Sequence, residues 1–430
     1  MNASCRSLPI LVSFMLVAGG VNAADTTTAW KTSMTASART GYDDNVFLQE
    51  RSAVIAPNAV PYSAGSWVNS VSLALGVTWQ PSPALAVDAG YSPELTRYAR
   101  FHSENHDDHR FTTSLRGKDG AWSYDLKSSL LLVDGSSESP IYGHVGGTPA
   151  IGGAQVRDRR DQTVTKAGAN LTRTVSPDFF VRAVGAASFQ DFQTTHKPTT
   201  GPGAVPGYAN YVDRSEWSIG PDAGWFFRKD LALVAGVRFG EQRQANLLGV
   251  KNNYSNTLTR FLVGLEGKVA PTLSLKFLAG PDVRRYTDSA AAGFDRTRTT
   301  RYAEGTATWT PLKSDSVSFS AKDYLWLSSG GRGAYESIVC DLAWKHTFNK
   351  TWSTVAGFNY QEGDNLDYVA PASFRNDSIY TVSGGVTYAL NAKTKIDVSV
   401  TREWSDSAVA NKPGREYTHW LVSTGITFTF

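Results

Sequence analysis

One cluster of residues combines the two side-chain types that divalent transition metals prefer. His106-Asp107-Asp108-His109 offers imidazole nitrogen and carboxylate oxygen within four consecutive positions. On a β-strand, however, His106 and Asp108 share one face while Asp107 and His109 share the other, so the four donors cannot converge on one ion. We therefore interpret this cluster as a solvated strand end and predict no metal there.

A second cluster, Asp43-Asp44-Asn45, carries oxygen ligands for a hard cation, but it lacks the wider ligand spacing of a calcium loop. A turn at a strand end explains it equally well. The chain contains neither a G-x-S-x-G elbow nor an H-E-x-x-H motif. His419 and Asp397 could form a catalytic pair, but we expect them at opposite ends of adjacent strands. We predict no catalytic residue, no metal and no cofactor.

The composition indicates what kind of chain must position these residues. The 430 residues include 12% aromatic and only 19% charged residues, with a net charge of +3. The near-neutral balance gives no electrostatic argument for nucleic acid as a partner. After the N-terminal leader no stretch of 18 apolar residues occurs, which argues against transmembrane helices.

The N-terminus resembles a secretory signal. Arg6 precedes an apolar segment at Leu8–Val17, and Val21-Asn22-Ala23 fits the small-residue cleavage rule. We expect residues 1–23 to be a signal peptide and residues 24–430 to form a single domain; an N-terminal anchor helix is the alternative. Cys340 is the one cysteine of the expected mature chain, so no intramolecular disulfide is possible.

The expected mature chain consists of successive segments in which apolar and polar residues alternate. Segments such as Val71–Trp79 and Ile396–Thr401 alternate apolar with polar residues, the period of a half-buried strand. Eight tight turns and nine longer loops interleave along the chain, with aromatic residues near both kinds of connection. This pattern predicts an all-β, transmembrane, antiparallel up-and-down β-barrel of about 18 strands, of the outer-membrane type. Only a closed barrel pairs every strand backbone inside lipid.

Two prolines interrupt predicted strands. Pro221 and Pro281 each lack the N–H that a ladder uses. We expect a bulge or an early strand end at each, so the predicted strand count depends on these two positions.

The C-terminus carries the most specific pattern. The last residues resemble the bacterial signal for barrel assembly, with Gly425, Phe428 and Phe430 at the positions of its glycine and two aromatics. This predicts the barrel-assembly machinery as a partner, together with outer-membrane lipid and lipopolysaccharide in the cell outer membrane of a Gram-negative bacterium.

If the apolar faces contact lipid, the opposite faces line a polar lumen. A barrel of this size is wide enough for an aqueous channel. The predicted lumen-lining residues are Arg110, Arg116, Lys127, Lys166, Arg182, Glu216, Arg238, Arg260, Glu266, Lys268, Lys276, Glu304, Lys322, Tyr324, Asp341 and Lys345. The loop Asp134–Val156 is either an inward constriction or an outer loop.

Gly41-Tyr42-Asp43-Asp44-Asn45-Val46-Phe47 resembles the opening signature of the beta-barrel porin type 2 family. Members of this family are EpsL-like outer-membrane barrels associated with exopolysaccharide biosynthesis and secretion. The resemblance implies an outer-membrane conduit for polysaccharide that works with a periplasmic polysaccharide-export protein. It supplies no catalytic residues.

Four functions therefore stand open. The first is a conduit in exopolysaccharide export, and the alternative is a general diffusion porin for small hydrophilic solutes, weakly anion-preferring or unselective. A barrel enzyme is disfavoured because no convergent nucleophile and base can be named. An adhesin or scaffold would use the long outer loops to bind a partner.

Overall fold

The computed structural model describes residues 29–46, 48, 65–135, 161–193, 201–202, 211–246, 254–287, 295–327, 334–365, 376–407 and 417–430. The predicted signal peptide, Phe47 and most of the loop Asp134–Val156 lie outside these residues. Within the described ranges, no helix has the length and apolar character needed to cross a membrane. One 3-10 turn occurs at His102–Glu104.

Eighteen antiparallel strands form one closed sheet. The strands are β1 Ala29–Asp43, β2 Ser66–Ser82, β3 Leu85–Tyr98, β4 His106–Asp119, β5 Trp122–Asp134, β6 Gln162–Ser176, β7 Phe179–Phe192, β8 Arg214–Arg228, β9 Leu231–Gln244, β10 Asn256–Ala270, β11 Leu273–Tyr286, β12 Thr297–Trp309, β13 Asp315–Leu327, β14 Ala334–Thr347, β15 Trp352–Asn365, β16 Asn376–Ala389, β17 Thr394–Ser407 and β18 Tyr417–Thr429. Each strand pairs with its neighbours in sequence, and β1 closes the barrel by pairing with β18. The predicted 18-stranded up-and-down barrel is confirmed.

The outer face of the barrel is apolar. Phe261, Val263, Val398 and Val422 expose 52%, 55%, 53% and 50% of their surface, although they belong to well-formed strands. Soluble proteins rarely leave such residues open in contiguous patches, whereas a bilayer covers them. The chain is therefore a membrane-spanning barrel of the outer-membrane type.

The prediction of a bulge or early strand end at Pro221 and Pro281 is wrong. Pro221 lies inside β8 opposite Ala183, and Pro281 lies inside β11 opposite Arg301. In the β8–β9 ladder at Pro221 and in the β10–β11 ladder at Pro281, two residue pairs are missing. The pairing register is the same before and after each gap. A proline removes one donor from one edge only, so the strand continues. At Pro221 the carbonyl accepts a hydrogen bond of 3.3 Å from Arg238 Nη1.

The interior of the barrel has two unlike sides. On β7–β13, which we call the packed side, apolar side chains point inward and bury one another. This cluster comprises Phe180, Ala232, Val234, Leu262, Leu278 and Tyr302, with Phe226 and Tyr324 against it. On β14–β18 and β1–β6, which we call the open side, most inward residues along the middle of the strands are polar or small, and most are at least partly exposed. The open side therefore lines whatever passage the barrel contains.

Candidate functional site

All of the predicted lumen-lining residues lie on inner faces of the strands. In β4, for example, Phe111 is outward and 41% exposed, and Arg110 and Arg116 have the opposite parity. In β14 the outward residues are Leu342 and Trp344. Several inward charges on the packed side are buried in ion pairs, whereas those on the open side are largely exposed to solvent. Whether the residues govern conduction remains a prediction.

Three predicted lumen residues on the packed side are buried in ion pairs. Arg182 Nη2 lies 2.9 Å from Asp222 Oδ2 and 2.9 Å from Glu266 Oε2. Arg238 Nη1 contacts the other oxygen of Asp222 at 2.6 Å. The side chain of Asp222 is 0% exposed and those of the two arginines at most 8%. The two arginines and Asp222 therefore pair with one another away from the lumen solvent, whereas the Glu266 side chain keeps 33% exposure.

The third, Arg260, belongs to a separate buried group. Asp282 Oδ2 accepts from Arg260 Nη2 at 2.9 Å and from Arg284 Nη2 at 2.7 Å. Arg284 Nη1 also donates to Asn256 Oδ1 at 3.0 Å. The guanidinium of Arg260 stacks on the Tyr302 ring, with its carbon 3.4 Å from the ring centre. One carboxylate thus joins two cations beneath an aromatic ring.

A glycine permits the close packing around Asp222. A Cβ on Gly236 would lie 2.0 Å from Asp222 Oδ1, closer than any real contact. Any other residue at position 236 would push the carboxylate away from Arg238. Gly236 is needed here for close approach and not for an unusual backbone conformation.

Sequence reasoning missed several members of the packed side because it assigned every apolar face to lipid. Arg284 and Gln242 also escaped it, although Arg284 shares a face with Asp282. A signal was present: Leu231–Val237 and Phe261–Leu265 are apolar at nearly every position. Strands that are apolar on both faces are typical of sheets covered on both sides.

A cavity of about 410 Å³ lies where the packed side meets the open side. Its charged and aromatic lining residues are Lys276, Glu304, Lys322, Tyr324 and Asp341. The Lys322 ammonium lies 4.4 Å from the centre of the Tyr324 ring. Asp341 accepts from Asn359 Nδ2 at 2.6 Å. Among the described residues neither Lys276 nor Lys322 forms an ion pair within 4.0 Å, although Glu266 lies opposite Lys276 and Glu304 opposite Lys322 in the neighbouring strands.

The open side holds a polar network on its wall. Arg39 Nη2 contacts Asp397 Oδ2 at 2.6 Å, and Arg39 Nη1 donates to Ser423 Oγ at 2.8 Å. The exposed fractions of the Arg39 and Asp397 side chains are 39% and 20%. These groups line the lumen, remain in contact with solvent, and carry mixed charge.

The Asp43-Asp44-Asn45 motif joins the two ends of the barrel sheet. His419 Nε2 of β18 hydrogen-bonds Asp43 Oδ1 at 3.0 Å, and Asn45 Nδ2 donates to the Thr418 carbonyl at 2.9 Å. The Trp420 N–H donates to Asp44 Oδ1 at 2.7 Å. One donor atom from each of Asp43, Asp44 and His419 lies within 4.8 Å of the others. Hydrogen bonding between β1 and β18 accounts for this grouping, which fits the strand-end interpretation.

The other candidates fall where the sequence predicted. Asp107 pairs with Arg97, and the Tyr91 hydroxyl hydrogen-bonds His109 Nδ1 at 2.9 Å, so this half of the first cluster faces outward. Asp397 lies opposite Gly425 in the β17–β18 ladder. Gly425 is six residues from His419 along β18, so the Asp397 and His419 side chains do not meet.

The C-terminal aromatics face outward. Phe428 is 40% exposed and Phe430 is 67% exposed, while Gly425 lies against the Arg39 side chain. Their role in assembly remains a prediction.

Comparison with known proteins gives one family and a set of structures. Residues 207–430, just over half of the chain, match the family described as "Putative beta-barrel porin 2". Similar solved structures include OpdK from Pseudomonas aeruginosa, with 12% identity and a TM-score of 0.44 over 93% of this chain and 99% of that one. They also include OccAB3 from Acinetobacter baumannii, with 10% identity and a TM-score of 0.43 over 93% and 99%. No curated protein matches the chain.

Proposed function

Because the chain belongs to the putative beta-barrel porin 2 family and forms a closed outer-membrane barrel, we propose that it is a passive channel for small hydrophilic solutes. The observation that carries the proposal is the open side, whose wall is polar, charged and in contact with solvent beside the Arg39–Asp397 pair. Such a wall replaces part of the hydration of a passing solute without binding it tightly. Family and fold point to a channel rather than an enzyme.

The packed side supports a size limit. Its inward apolar and ion-paired residues occupy space that a symmetric barrel would leave to water. What remains is a passage along the open side, next to the cavity of about 410 Å³. A cavity of that volume matches the usual range for small-molecule sites. We therefore expect solutes the size of monosaccharides or small organic acids to pass more readily than long oligosaccharides.

The cavity also supports a weak preference for anions. Lys276 and Lys322 present ammonium groups there, and neither forms an ion pair within 4.0 Å among the described residues. Glu304 and Asp341 line the same cavity, and their negative charges weaken the preference for anions. The expected selectivity is therefore modest.

Reconstitution tests this proposal. The purified protein in planar bilayers should give steady single-channel currents, and liposomes that contain it should swell faster in monosaccharide than in tetrasaccharide. Ser399→Trp, on the inner wall of the open side, should reduce the conductance. Val382→Trp, on the lipid face with Val382 45% exposed, is the matched control and should leave it unchanged. A folded barrel that carries no current would overturn the proposal.

Exopolysaccharide export, which the family resemblance implies, is the finer alternative, and the packed side does not favour it because a polymer needs a wide continuous passage. Deletion of the gene decides between them: unchanged surface polymer together with lost solute uptake supports the diffusion channel. The partners expected from the sequence, including a periplasmic export protein, remain predictions. An adhesin role would show as binding without conductance.

A further inference from the structure

Strands β12 and β13 separate at the outer end of the barrel. Their ladder runs only from Trp309–Val317 to Ala303–Asp323. Beyond it, Thr297–Tyr302 pairs with β11 and Tyr324–Leu327 pairs with β14, and no pair joins the two segments within the described part of the chain. We call Tyr324–Leu327 the β13 tip. Between the β13 tip and β12 the barrel wall is open.

The β13 tip is held inside the lumen by side chains of β8 and β9, which belong to the same packed side. The Leu325 carbonyl accepts from Gln242 Nε2 of β9 at 3.0 Å, and the Leu327 carbonyl accepts from Arg214 Nη1 of β8 at 2.5 Å. The Arg214 guanidinium lies 4.7 Å from the centre of the Trp326 ring. These donors satisfy carbonyls on a strand segment that has lost one neighbour.

Burial of two leucines shows which way the β13 tip has turned. Leu325 and Leu327 are 1% and 2% exposed and pack with Tyr254, two residues before β10, and with Tyr286, the last residue of β11. By strand alternation these leucines share a face with Phe319, which is outward and 42% exposed. At the β13 tip, the face that points to lipid in the rest of β13 therefore packs against the interior of the barrel.

The separation begins where the lipid-facing surface ends. Outward residues of β12 from Trp309 to Ala303 are apolar, whereas Arg301 and the threonines beyond it are polar. Arg301 Nε lies 2.7 Å from Asp323 Oδ2 at this boundary. The free edge thus stands outside the apolar band, where water can solvate it. The barrel can keep this opening without exposing unpaired backbone to lipid.

Continuing the existing register would close the opening. It would pair Tyr302 with Tyr324, and likewise Thr299 with Leu327. The tip would leave the lumen, its leucines would face outward, and Tyr324 would shift in the lining of the cavity. We propose that the β13 tip is a gate with an inward position, which narrows the outer end of the channel, and an outward position paired with β12. This inference rests on the proposed channel function.

Paired cysteines test the gate in a Cys340→Ala background. Thr299→Cys with Leu327→Cys places thiols opposite each other in the outward position, and Thr297→Cys with Leu327→Cys is the control with shifted register. After oxidation, a non-reducing gel reports the cross-link, and planar bilayers report the current. We expect the first pair to cross-link more than the control and to raise single-channel conductance, and we expect reductant to reverse the rise.

A variant without cysteines tests the inward position. Gln242→Ala removes the donor to the Leu325 carbonyl, so the channel should spend more time in its higher conductance level, while Val382→Ala on the lipid face should not change the dwell times. The gate proposal would be overturned by equal cross-linking in both pairs or by a current that does not change on oxidation. If the wild-type barrel carries no current, the channel function fails, but the gel still decides whether β12 and the β13 tip pair.

Discussion

The packed and open sides present the same surface to lipid and opposite surfaces to the interior. On the packed side, Asp282 lies between two arginines with all three side chains at most 6% exposed. On the open side, the Arg39–Asp397 pair has similar geometry but keeps contact with solvent, with 39% and 20% exposure. The same residue types therefore stabilise the wall on one side and line the passage on the other. Burial, and not charge, separates the two roles.

This difference supports the proposal that a wide barrel contains a narrow passage. A ring of 18 strands with two equal halves would leave a broad aqueous channel. Here the apolar cluster around Val234 and Leu278, together with the β13 tip, occupies one side of the ring. Among the described residues, this space is filled by side chains of the wall strands and by the β13 tip.

The largest effect should come from removing the shared carboxylate of the packed side. Asp282→Asn leaves Arg260 and Arg284 buried without a negative partner, which should lower the free energy of unfolding by ~3–5 kcal/mol. Urea unfolding in detergent, followed by loss of the fast-migrating unheated band on a gel, measures the change.

The control for that substitution is Asp397→Asn on the open side. Its partner Arg39 is 39% exposed and can be hydrated, so the loss should be at most ~1 kcal/mol. If both substitutions destabilise the barrel equally, the two sides do not differ in the way the geometry indicates.

Cavity formation should give the next largest effect. Leu278 is 2% exposed inside the apolar cluster, so Leu278→Ala should destabilise the barrel by ~2–5 kcal/mol. Leu342→Ala removes the same atoms from the lipid face, where Leu342 is 42% exposed and detergent or lipid fills the space. Denaturant midpoints for the two variants should therefore differ clearly, and matching midpoints would contradict a tightly packed interior.

A smaller effect is expected on ion selectivity. Lys276→Gln combined with Lys322→Gln removes two ammonium groups from the cavity, so the reversal potential in a salt gradient should move by some millivolts toward cation preference. Lys350→Gln combined with Lys393→Gln is the control, because it removes the same charge from exposed tight turns outside the strands. A shift as large in the control would show that the cavity does not set selectivity.

Much of the barrel could be predicted from local sequence signals. Period-two alternation and the regular change between tight turns and long loops define all 18 strands, because each strand carries its own pattern. The inward parity of residues such as Lys276 and Asp341 follows from the same alternation. The prolines misled the prediction because a proline removes a donor from only one edge, and the sequence does not tell which edge tolerates it.

Contacts between strands that are not neighbours in the ring could not be predicted from the sequence. Arg214 meets Leu327 across 113 residues, and Gln242 meets Leu325 across 83. Neither contact has a local pattern, since each depends on how far the β13 tip bends inward. The burial of Arg182 and Arg238 has the same origin, because their shielding comes from other strands.

Thiol labelling tests the contrast between the two sides most directly. In a Cys340→Ala background, Ser399→Cys places a thiol on the open wall and Val234→Cys places one in the packed cluster, where Val234 is 0% exposed. A charged, membrane-impermeant thiol reagent should label the first rapidly and reduce the current, and should leave the second unlabelled until the barrel is unfolded. Rapid labelling of both, with equal loss of current, would contradict a lumen that is packed on one side and open on the other.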